Sequence, residues 1–166
     1  AELVYKKIDS TMRGNVGAEV LAAVEALEMR GAVVCPAFPE QGRTVTEGRL
    51  LVHGKPVDEA LAGDEMPDSP PEADLVRALS HGLSEDVGLL QVGAMREGVE
   101  RVNAALSEFA ARGTRIVVAD AETRQDLNLL AAALLQARDW LPAGSAGLAG
   151  AFAACLLGDE MPREVV

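Results

Sequence analysis

AVVCPAF, residues 32–38, is an unbroken apolar run closed by a proline-containing turn. Such a run is expected of a strand buried on both faces, as in a parallel sheet covered by helices. The sequence on either side agrees. Upstream, ELVYKKI (2–8) reads as a strand. Val16, Val20, Val24 and Leu27 then recur at helical spacing, which predicts a helix from Val16 to about Arg30 with Asn15 as N-cap and Gly31 as its stop. Downstream, RTVTEGRLLVHGKPV (43–57) alternates and carries two turn signals, Glu47-Gly48 and His53-Gly54, so it reads as a β-hairpin flap standing off the main sheet. LAGDEMPDSPPEAD (61–74) is acidic and proline-rich, a surface loop.

Strand and helix alternate again after that. ADLVRALSHGL (73–83) reads as a helix and VGLLQV (87–92) as a strand. Residues 95–112 form the next predicted helix, with Val99, Val102, Leu106 and Phe109 on one face and Gly113 at its end. RIVVADA (115–121) is a strand. Thr123 opens a helix with Asp126 placed as in a capping box, expected to end near Trp140. LPAGSAGLAGAFAACLLG (141–158) reads as a short strand, a glycine turn and a last helix. The expected fold class is therefore α/β: a mostly parallel sheet with helices on both faces, in Rossmann-like layers, plus the inserted flap 43–57. Residues 1–166 are read as a single domain.

Composition narrows the function. The formal net charge is −11. A nucleic acid or an anionic membrane rewards a basic surface, so neither is an expected partner. No signal peptide and no apolar run long enough to span a bilayer is visible, and a cytoplasmic location is expected. Cys35 and Cys155 each lie in an apolar run and read as buried free thiols. His53 and His81 precede glycines and read as turn residues. No cysteine or histidine cluster has metal-ligand spacing, so no metal site is expected.

One stretch runs against the acidic background. KKIDSTMRGN (6–15) sets Lys6, Lys7 and Arg13 against Asp9 alone, between a strand end and a helix start. Ligands of parallel α/β sheets bind at the carboxyl ends of strands, and helix N-termini attract carboxylates and phosphates. Arg13 can clamp a carboxylate, Lys7 adds a point charge, and Ser10 and Thr11 suit hydroxyls. Asp9 can act as a proton acceptor or as a hydrogen-bond acceptor. The set suits a small polyhydroxy acid; a plain solvated turn is the alternative. GSAG (144–147) and PAFPEQGRT (36–44) are further candidates, each equally readable as an ordinary cap or turn. Neither GxGxxG nor GxxxxGK[ST] occurs.

YKKIDSTMRGNVGAE (5–19), PAFPEQGRTVTEGRLLVHGKPV (36–57) and AGSAGLA (143–149), in this order, resemble the sugar-binding domain of the four-carbon acid sugar kinase family. The resemblance implies an enzyme that uses ATP with Mg2+ to phosphorylate a hydroxyl of a tetronate-type acid such as threonate, erythronate or an oxo form. It implies Lys7, Asp9, Ser10, Arg13, Gly14 and Asn15 as sugar-acid contacts, with Asp9 as the catalytic candidate. Gly144 and Ser145 would lie at a neighbouring strand end, and Arg43 with the flap would cover the site. Family members also carry an upstream D-D-L-T-G-A stretch and a C-terminal nucleotide domain. Neither motif set occurs in these 166 residues, so the resemblance implies a part that is inactive alone and partners a nucleotide domain. An exposed sheet edge would favour a homodimer. The alternatives are a non-catalytic anion-binding module or an inert α/β fragment. Met12 stands where leucine is usual, and the loop 61–74 departs most from the family pattern.

Overall fold

The computed structural model describes residues 3–62, 71–81 and 83–158. Most of the loop read at 61–74 therefore lies outside the described residues. The main sheet has five parallel strands: β1 (Lys6–Lys7), β2 (Gly31–Cys35), β6 (Val87–Leu90), β7 (Ile116–Ala119) and β8 (Trp140–Gly144). Their order across the sheet is β1-β8-β2-β7-β6. β2 is central and buried at all five positions, as its apolar run predicts. Its register sets Ala32 beside Ile116 on one side and Leu141 on the other.

Helices cover both faces, which matches the expected fold class. α1 (Val16–Ala26) and α3 (Leu75–Ser80) contact each other in one layer. α5 (Val99–Ala111), α6 (Arg124–Gln136) and α7 (Ala146–Leu157) contact in sequence in the other, with α4 (Val92–Arg96) against α5 and α6. A short α2 (Val57–Ala60) follows the flap.

Several expectations need correction. The first helix stops at Ala26, not Arg30, because Glu28 turns to φ 53° and the Met29 amide reaches back to the Val24 carbonyl. Gly31 is then no stop; it begins β2, where a Cβ would meet the Arg115 carbonyl oxygen at 2.4 Å and the Trp140 ring at 2.7 Å. The helix expected over 95–112 is two helices, broken at Gly98, whose φ of 115° a helix cannot hold. α6 ends at Gln136, and Trp140 opens β8. Cys35 is buried, and burial pushes its thiol up to about 12, but Cys155 is exposed on the last turn of α7.

The flap forms its own antiparallel sheet of β3 (Arg43–Thr46), β4 (Arg49–Val52) and β5 (Lys55–Pro56). Both expected turns are present, with positive φ at Glu47 and Gly48 and at His53 and Gly54, the primed geometry that suits strand twist. It does not stand off the main sheet. Val45 and Ala121 exchange backbone hydrogen bonds of 2.9 and 3.0 Å, and the Leu50 amide donates to the Ala73 carbonyl at 2.8 Å. Val45, Leu50 and Val57 are fully buried.

Candidate functional site

All three motifs end at the carboxyl edge of one side of the sheet. Lys7 pairs with Gly144, so the loop after β1 lies beside the turn between β8 and α7. The Ile8 amide extends this pairing to the Gly144 carbonyl at 2.9 Å. Ser145 then ties β8 to the loop after β2: its Oγ donates to the Ala37 carbonyl at 2.7 Å and accepts from the Gly147 amide at 3.0 Å. Tyr5 Oη donates to the Ser145 carbonyl at 2.7 Å, and its ring meets Phe152 edge-on. At Gly147 a Cβ would meet the Ala37 carbonyl at 2.7 Å and Phe38 Cα at 3.0 Å, so only glycine lets the α7 N-terminus sit this close to the β2 loop. Phe38 and Arg43 exchange backbone hydrogen bonds of 2.8 and 3.1 Å, which roots the flap at the same corner.

The loop after β1 is organised by one carboxylate. Asp9 Oδ2 accepts from the Thr11 amide at 3.0 Å, Thr11 Oγ1 at 2.5 Å, the Arg13 amide at 3.4 Å and Arg13 Nε at 3.1 Å. Its Oδ1 accepts from Arg13 Nη2 at 2.9 Å. Arg13 first, then Thr11, holds the Asp9 carboxyl well below the usual carboxylate range, while burial opposes them. The pair is nonetheless open: the Arg13 side chain is 68% exposed and that of Asp9 28%. Met12 and Gly14 take positive φ to close this loop, and Gly14 and Asn15 are exposed on its rim.

The other predicted residues divide. Ser10 is half-buried in the same loop. Lys7 is exposed and its Nζ donates to the Ile8 carbonyl at 2.8 Å. Lys6 is taken by Glu19 of α1 at 2.8 Å, which leaves Lys7 and Arg13 as the loop's outward cations. Asn15 sits at the N-cap position of α1 without a side-chain cap bond. Thr11 and Ser145 are buried with their hydroxyls already engaged. Gly144 is packed too tightly for any side chain, with Tyr5 Oη at 2.7 Å from a built Cβ.

Sequence reading missed Asp120, 1% exposed at the end of β7. Its carboxylate accepts from the amides of Glu47, Gly48 and Val92 at 3.1, 2.8 and 3.2 Å. Burial pushes it above the ordinary carboxylate range, and the three amides only partly offset this. Nearby, Arg96 clamps Asp126 through Nε and Nη2, both at 2.9 Å, and reaches Glu122 at 2.9 Å. A groove of about 610 Å³ runs past Arg96, Asp126 and Leu129, and another of about 610 Å³ past Arg30, Asn103 and Trp140. Neither is lined by the motif residues. Among the described residues, no three His, Cys, Asp or Glu side chains gather as a metal site. No helix among them is long and apolar enough to cross a membrane.

The fold and this corner define an α/β domain with an exposed, cation-bearing loop at the carboxyl end of its edge strand. Residues 1–152 match the model of the sugar-binding N-terminal domain family, and the chain belongs to that family. Over 152 residues it is 40% identical to a D-threonate kinase of Salmonella typhimurium, covering 91% of this chain and 36% of that protein. It is 38% identical over 129 residues to a 3-oxo-tetronate kinase of Pseudomonas fluorescens, covering 75% and 29%. The chain thus spans about a third of the length of these four-carbon acid sugar kinases and matches their N-terminal domain. Among solved structures, Haemophilus influenzae protein HI1011 superposes with a TM-score of 0.88 at 29% identity, over 99% of this chain and 40% of that one. A Bordetella bronchiseptica domain, a domain-swapped dimer with bound citrate, superposes with a TM-score of 0.74 at 34% identity, over 96% and 38%.

Proposed function

We propose that this chain is the sugar-acid-binding part of an ATP-dependent kinase that phosphorylates a hydroxyl of a four-carbon acid sugar. The observation that carries the reading is the Asp9–Arg13 pair, a preformed two-pronged guanidinium on an open rim, in an otherwise acidic protein. An incoming carboxylate replaces Asp9 as the partner of Arg13, at little net electrostatic cost because one carboxylate is exchanged for another. Lys7 supplies the second charge, and Ser10, Gly14 and Asn15 line the rim where the hydroxyls of the acid are received. Gly144 and Ser145 act through packing: they bring the β8–α7 turn against the loop. Arg43 closes the corner from the flap.

The five donors on Asp9 support a hydrogen-bond acceptor that presets Arg13 over a proton acceptor, since a carboxylate held that far down is a weak base. Any role as base requires that Arg13 first leave for the substrate. ATP and Mg2+ belong to the same proposal, but the described residues of this chain fit neither: they build no phosphate loop and no metal cluster. In this reading a nucleotide domain outside these residues holds both, and this chain alone transfers no phosphate. The reading includes a cytoplasmic location and a dimer, the latter supported by the Bordetella relative.

The test is isothermal titration of the chain with erythronate and threonate, beside Arg13→Ala. Heat with at least one acid, weakened about tenfold or more in the variant, is expected for loss of a charged hydrogen-bond pair. Equal affinity in both proteins would sink the assignment.

A further inference from the structure

Among the described residues, Met12, Glu28, Glu47 and His53 take a left-handed φ without being glycine, at 62°, 53°, 51° and 49°. Three of them are exposed and have a local cause. Glu28 follows the end of α1, and Glu47 and His53 open the two turns of the flap, each ahead of a glycine of positive φ. Met12 is the exception: its side chain is half-buried and packs against the core. A long side chain is strained in this conformation, which glycine or asparagine holds more easily. Strained residues persist where their surroundings over-determine them, and they cluster at functional sites.

The bend at Met12 lies between two parts of the loop. On one side, Ile8 and Thr11 are buried, and the Met12 amide donates to the Asp9 carbonyl at 3.1 Å, closing a turn. On the other side, Arg13, Gly14 and Asn15 are all exposed. Met12 is thus the last side chain that ties the rim to the core before α1 begins. Directly after the bend, Arg13 returns to the Asp9 carboxylate with its amide at 3.4 Å, its Nε at 3.1 Å and its Nη2 at 2.9 Å. An exposed arginine has many rotamers, and a fixed backbone beneath it lowers the cost of ordering it on a ligand.

We infer that Met12 is a positioning residue of the sugar-acid site: its core-anchored side chain fixes the left-handed bend that presents Arg13. This rests on the proposed function and deepens it. The loop carries its ordering cost in the folded chain, so less of that cost falls on binding. Glycine at 12 would relieve the strain but free the backbone, and asparagine would accept the bend without the apolar anchor. Leucine conserves volume and anchor together.

The experiment uses the full 166-residue chain and Met12→Leu, Met12→Gly and Met12→Asn, each checked by a urea melt. Two quantities are read. One is the Nε–H resonance of Arg13 without ligand, identified by its disappearance in Arg13→Ala. The other is the affinity for erythronate by isothermal titration. Met12→Leu should keep the resonance in place and bind within about twofold of the natural chain, as a volume-conserving exchange. Met12→Gly and Met12→Asn should melt cooperatively, lose the hydrogen-bonded resonance and bind about fivefold more weakly, the size expected for re-ordering one flexible side chain. Natural affinity or an unmoved resonance in Met12→Gly or Met12→Asn overturns the assignment, and so does an equal loss in Met12→Leu. Failure of both Met12→Gly and Met12→Asn to melt cooperatively makes Met12 a folding residue and overturns it as well. No binding by the natural chain overturns the proposed function itself, and the positioning role with it.

Discussion

Two aspartate–arginine pairs sit at the carboxyl end of the same sheet, and they are built differently. Asp9 and Arg13 lie four residues apart in one loop at the β1 edge, 28% and 68% exposed. Asp126 and Arg96 lie 30 residues apart, on α6 and α4, with the Asp126 side chain only 2% exposed. The second pair cross-links helices: Asp126 also accepts from the Glu122 and Thr123 amides and completes the capping box of α6. The first pair holds no second element in place. One arginine is held in the fold, and the other stays on an open rim. The same chemistry makes a structural joint at one corner and an open pair at the other, the one the proposed function uses; burial and sequence separation distinguish them.

The comparison breaks most visibly at Asp126. Asp126→Ala removes the carboxylate half of the capping box and leaves Arg96 with Glu122 alone, and should lower stability by about 3 kcal/mol in a urea melt without changing sugar-acid affinity. Asp120→Ala comes next. It leaves three amides from the flap turn and α4 without their acceptor, so a loss of about 2 kcal/mol is expected, with faster hydrogen exchange at Glu47, Gly48 and Val92. Arg13→Ala, by contrast, should change stability by no more than about 0.5 kcal/mol, as exposed pairs usually do, while weakening the acid.

The smallest effect is on pH dependence. Asp9 has a lowered pKa in the folded chain, so its contribution to stability is present above the ordinary carboxylate range of about 4. It is lost as pH falls through and below that range. Asp9→Asn should flatten this part of the acid limb slightly; an unchanged limb would mean that the exposed pair adds nothing to the fold.

How much of this was legible beforehand depended on whether the cause was local. The capping box at Thr123 and Asp126 and both glycine turns of the flap were readable because each is decided within four residues. The end of α1 was not. Gly31 is a glycine because the Arg115 backbone just before β7 and the Trp140 ring of β8 press on it from more than 80 residues later, and that reason has no local signature. Asp120 was invisible for the same cause: its partners at Glu47 and Gly48 lie 73 and 72 residues away. Cys155 was misjudged because its neighbours are apolar, yet Leu156 and Leu157 beside it are 57% and 65% exposed, so the last turn of α7 faces solvent. The local excess of cations in the loop was readable, but the engagement of Asp9 by Arg13 and Thr11 was visible only in the structure.

The most direct test of the distinction between the two corners is an amide chemical-shift titration of the chain with erythronate. The account predicts that the amides of Asp9 to Asn15 and of Gly144 to Gly147 shift with saturating concentration, while those of Asp120 to Asp126 stay in place. Shifts confined to Asp120–Asp126, or spread evenly over both corners, would contradict it.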